Sequence, residues 1–149
     1  MELNNEMFIY DGGYERYHGN AISYMIKLVD PLTMGVTICF RNPGDHPNYR
    51  YAREVLRRRY DGGIFKIVKF SEVAKYLMAD GVFYNSHPFL DYKNYVGVGN
   101  FTHFSTYHYE TMFGDNPQFM QYIENAVVIP LAKQIGKEYT PRMTRWKFN

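Results

Sequence analysis

The chain has 149 residues, 46% hydrophobic, 21% charged and 18% aromatic, with a formal net charge of +2. That length suits one domain with a single core rather than two, and that composition excludes a disordered chain. The start, Met1-Glu2-Leu3-Asn4-Asn5-Glu6, lacks the positive charge of a secretory leader, and the densest apolar run, 126–132, is too short to cross a bilayer. These features lead us to expect a cytoplasmic protein with no membrane partner.

In chain order, residues 7–10 form a short apolar run that stops at Asp11-Gly12-Gly13. Residues 21–29 read as a strand, Asp30-Pro31-Leu32-Thr33 as a turn with proline at its favoured second position, and 35–41 as a strand rich in β-branched residues. Together they predict a hairpin. Cys39, the one cysteine, lies in the second arm among Val36, Ile38 and Phe40. It has no partner for an internal disulfide and no flanking base, which predicts an inert buried thiol.

Asn42-Pro43-Gly44-Asp45-His46-Pro47 breaks the strand and predicts a helix over 47–60, capped by Asp45 or His46 and closed at Asp61-Gly62-Gly63. At 100° per residue, Tyr49, Ala52, Val55, Leu56 and Tyr60 form its apolar face, with Arg50, Arg53 and Arg57 opposite. Arg59 falls by angle inside the apolar face. It must snorkel past the helix end, or pair with a buried acid or a partner.

A further strand is predicted over 64–70, then a helix over 71–79 capped by Ser71, a short strand over 82–85, a long loop over 86–100 and a strand or hairpin arm over 101–113. The last helix runs from 117 to about 129. Phe119, Tyr122, Ile123, Ala126 and Val127 make its apolar face, Gln118, Gln121, Glu124 and Asn125 its polar face, and Pro130 kinks or ends it. Beyond Gly136 the tail 137–149 is basic and aromatic. The expected fold is α+β, a mostly antiparallel sheet of four to six strands with about three helices packed on it in a single domain.

Catalytic residue types crowd together only between Asn100 and Glu110. On a strand, His103, Ser105 and Tyr107 share one side while His108 and Glu110 take the other, so the two histidines cannot share a metal. No spacing brings in His18, His46 or His87, so no metal site is expected. Ser105 has no glycine-flanked elbow, and neither a P-loop nor a dinucleotide fingerprint is present, so no cofactor is expected. His103 and Ser105 remain weak candidates for a small hydrolase or transferase.

The charges are segregated. Net charge is −3 over 1–40, +5 over 41–69, −4 over 70–125 and +4 over 126–149. If the two basic segments meet, a neutral total hides a positive face. The chain also holds 15 tyrosines, whose apolar rings and polar tips suit interfaces. The candidate binding residues are therefore Arg50, Arg53, Arg57 and Arg59 with Arg142, Arg145 and Trp146. They suit a protein partner, a second copy of the chain, or the phosphates of nucleic acid or a nucleotide bound without sequence preference.

Between residues 23 and 63, the run Val29-Asp30-Pro31-Leu32-Thr33, the strand Val36-Thr37-Ile38-Cys39, the turn Asn42-Pro43-Gly44-Asp45 and the helix Ala52-Arg53-Glu54 with Arg59 resemble a cassette of small tailed-bacteriophage proteins of unknown function. The resemblance implies a small accessory or inhibitory protein made during infection, acting on a host or defence factor or sequestering a ligand. It implies no catalytic residue.

Overall fold

The structure, a computed structural model, describes residues 6–11, 21–41, 48–73, 113 and 117–139. The strands are β1 (Glu6–Asp11), β2 (Ala21–Asp30), β3 (Thr33–Arg41) and β4 (Lys66–Lys69), and α1 (Tyr49–Asp61) lies between β3 and β4. Later come α2 (Pro117–Ile123), a π-helical turn (Glu124–Val128) and α3 (Ile129–Gln134). The four strands form one antiparallel sheet in the order β1-β2-β3-β4, and the fold is α+β. No described helix is long and apolar enough to cross a membrane.

The expected hairpin is present. Met25 faces Thr37, Ser23 faces Cys39 and Asp30 closes on Thr33, leaving Pro31-Leu32 as a two-residue turn. Asp30 Oδ1 accepts the Leu32 N–H at 2.8 Å, and this bond together with one from Thr33 holds the Asp30 carboxyl below its usual range. No described non-glycine residue has a positive φ, so the turn cannot be one of the mirror-image types that match strand twist. A register shift at Val29, a β-bulge, absorbs the mismatch.

Alternation along the strands gives the sheet two unlike faces. One carries Ile9, Ile22, Tyr24, Ile26, Met34, Val36, Ile38 and Val68, packed on Phe119, Met120, Ile123, Val127, Val128 and Leu131 of the C-terminal helical stretch. Phe113 joins this core, with its ring 4.9 Å from Tyr24 and 5.0 Å from Phe119, the latter edge-on. The other face carries Phe8, Met25 and Cys39 and receives Leu56, Ala52, Val55 and Tyr60 of α1. The sheet is thus sandwiched between two helical layers.

Several expectations need correction. Asn48 caps α1, its side chain accepting the Tyr51 N–H at 3.0 Å, and Asp45 and His46 lie outside the described residues. The helix does not stop at Pro130. The preceding turn widens to π, the Ile129 N–H reaching the Glu124 carbonyl, and this gives room to a proline that lacks an N–H and clashes with the carbonyl four residues back. Glu124, a member of the expected polar face, opens this turn and is buried. The strand expected over 64–70 is confined to β4, because Phe70 opens a helical turn over 70–73 that places Ser71 inside it rather than at its cap. Phe113 also has helical backbone rather than ending a strand arm. The loop over 86–100, the strand over 82–85 and the rest of 101–113 lie outside the described residues.

Candidate functional site

Helix α1 carries five arginines, and the structure gives them different surroundings. Tyr49, Arg53 and Arg57 recur at four-residue spacing along the flank facing β1. Opposite them, Tyr10, Phe8 and Glu6 recur at two-residue spacing on one face of that strand. Four helical residues rise about 6 Å and two strand residues about 6.6 Å, so the two ladders stay in step. The Tyr10 and Tyr49 rings lie 4.3 Å apart, Arg53 Nη1 donates to Tyr10 Oη at 3.3 Å, and the Arg57 guanidinium lies 5.2 Å from the Phe8 ring centre while Arg57 Nε meets Glu6 Oε2 at 3.1 Å. Arg53 and Arg57 therefore do not line a face opposite the core. They clamp the helix flank onto β1.

Arg59 lies inside the apolar face by angle, as expected, and its partner is neither an acid nor another molecule. Its Nη1 donates to the Ile38 carbonyl at 2.9 Å. Even-numbered residues of β3 turn their backbone groups toward β4, as the Phe70 N–H to Leu32 carbonyl bond shows, but β4 begins only opposite Val36. Ile38 is the next residue along this edge, and Arg59 takes the place of the missing strand. The Arg59 charge reaches Cys39 as well. Burial pushes the Cys39 thiol up, against the opposing pull of Arg59 and the Ser23 hydroxyl, and the thiol is buried as the sequence predicts.

The remaining arginines face outward. Arg50 sits 3.9 Å from Glu54, a loose and exposed pair one helical turn apart, and Arg58 is exposed with no ion pair to a described residue. Beside them the Tyr51 ring stands in solvent at 60% exposure, whereas Tyr49, though 50% exposed, lies on the flank against Tyr10. Tyr51 and Arg58 lie seven residues apart, nearly two turns, and project from the same side. The candidate site is this outer surface of α1. Tyr51 escaped the sequence reading because its helical angle places it away from the apolar face, and angle alone does not separate an interface ring from a solvent-facing one.

Arg142, Arg145 and Trp146 lie outside the described residues, as do His103 and Ser105. Among the described residues no group of three or more metal-ligating side chains comes together. No protein-family profile, curated protein or solved structure matches the chain.

Proposed function

We propose that the protein is a non-catalytic binding protein that docks on a macromolecule through the outer surface of α1. The observation that carries this reading is the exposed Tyr51 ring beside the exposed cations Arg50 and Arg58 on one rigid helix. Tyrosine and arginine dominate interface hot spots because they offer large contact area and several donors. The helix is fixed beneath by Leu56 and at its flank by Arg53 and Arg57, so docking spends little conformational entropy. The resemblance to phage accessory proteins suggests a target in the host or its defences, and a second copy of the chain fits the same chemistry.

A photo-cross-linking residue at position 51, with the exposed position 134 of α3 as control, tests the reading. The expected result is a discrete adduct formed at 51 only, suppressed by excess wild-type protein and not by Tyr51→Ala. Equal adducts at both positions, or equal competition by Tyr51→Ala, contradict it. A second reading, unspecific binding of single-stranded nucleic acid, draws on the same ring and cations, and it predicts an affinity that falls steeply with salt in a retardation assay.

A further inference from the structure

We propose that the protein has a second docking surface, independent of the outer face of α1, at the corner of the sheet that α1 leaves uncovered, and that it takes an acidic peptide segment carrying apolar side chains. Helix α1 ends at Asp61, and its last ring, Tyr60, lies flat over Gly35, where an added Cβ would meet the Tyr60 hydroxyl. Tyr60 stacks on Phe65 at 4.3 Å, and the two rings form a step above the sheet. Beyond this step the same face continues through the row Lys27, Gly35 and Ile67 and the row Thr33 and Lys69.

This corner holds the large aliphatic side chains that are exposed among the described residues. Val29 and Leu32 are each 56% exposed and Ile67 is 46% exposed. Lys27 and Lys69 flank them, and neither forms an ion pair with a described residue. Lys27 Nζ instead lies 5.4 Å from the centre of the Tyr60 ring. Of the nearby acids, the exposed Asp30 bonds to Thr33 and Leu32, and Glu6, opposite Lys27 in the register, meets Arg57.

An apolar floor flanked by two cations that have no ion pair among the described residues selects its occupant by charge complementarity. Lys27 and Lys69 stand two strands and one row apart, about 10–12 Å, within side-chain reach of carboxylates four residues apart on an extended chain, which share one side at a spacing of about 13 Å. An apolar residue between those carboxylates then rests on Val29, Leu32 and Ile67. A step walled by stacked rings suits a narrow peptide better than a planar lipid surface.

The test is NMR titration of the full chain with the soluble hexapeptide Glu-Ser-Leu-Ser-Glu-Ser, whose carboxylates and leucine share one side when extended, beside a hexaglutamate and phosphatidylserine vesicles. The expected result is saturable shifts at Val29, Leu32, Ile67 and Lys69, weakened about tenfold by Lys69→Glu or Ile67→Asp and unaffected by Tyr51→Ala. Since both altered side chains are exposed, the variants keep the wild-type unfolding midpoint. Hexaglutamate binding as tightly as the apolar peptide, vesicle binding without peptide binding, or no shift at these residues overturns the proposal. Failure of the α1 adduct leaves this result untouched, so the two surfaces are judged separately.

Discussion

Arg57 on α1 and Glu6 on β1, 51 residues apart in sequence, meet at 3.1 Å, and this contact joins the first strand to the helix that covers it. Both groups are partly in water, so the pair is a modest clamp whose apolar share comes from the guanidinium over Phe8. A double-mutant cycle of Arg57→Ala and Glu6→Ala, read by urea unfolding, should give a coupling of about 0.2–1 kcal/mol that shrinks as salt is raised. A coupling of zero at low salt removes the clamp.

Neighbouring arginines should behave differently. Arg59→Met strips the Ile38 carbonyl of its donor and should cost about 1–3 kcal/mol of stability, whereas Arg58→Met, on the outer surface, should stay within about 0.5 kcal/mol of wild type. Equal costs in chemical denaturation contradict the division of the helix into a structural and a free side.

Gly35→Ala should destabilise the fold by about 1–3 kcal/mol, because the new methyl collides with a Tyr60 ring held in place by Phe65. Adding Tyr60→Leu should recover part of the loss, giving a non-additive pair in thermal unfolding. Additive losses exclude this contact as the cause.

Cys39 sets an alkaline pH dependence. Its folded thiol is held above 9.0 by burial, so above that pH the unfolded chain releases the proton while the folded chain keeps it. Stability should be unaffected by this group below pH 9, then fall with rising pH until the folded thiol ionises. The Tyr60 hydroxyl, also pushed up by burial, acts in the same direction from about pH 10. The difference between wild type and Cys39→Ala in urea unfolding isolates the thiol, and a difference independent of pH contradicts its assignment as buried.

Much of the fold was legible where local rules act alone. Alternation and turn chemistry predict β2, β3 and their connection, and the α1 helix and its glycine stop follow from periodicity and the need for a left-handed residue, taken by Gly63 at φ 84°. The failures share one cause, which is that angle around a helix says nothing about a neighbour. Arg53 and Arg57 look solvent-facing on their own helix, yet Tyr49, Arg53 and Arg57 match Tyr10, Phe8 and Glu6 in both chemistry and pitch. That complementarity between a four-residue and a two-residue ladder was readable in principle. Burial of Glu124 was not, because its residue type and its helical angle both point to solvent.

The division of labour on α1, with Arg53, Arg57 and Arg59 tied inward and Tyr51 and Arg58 left for a partner, is tested most directly by competition for the position-51 adduct. Arg58→Glu, folded as stably as wild type, should compete about tenfold less well than wild type. Wild-type competition by this variant would contradict the assignment of the outer surface as the place where the protein binds.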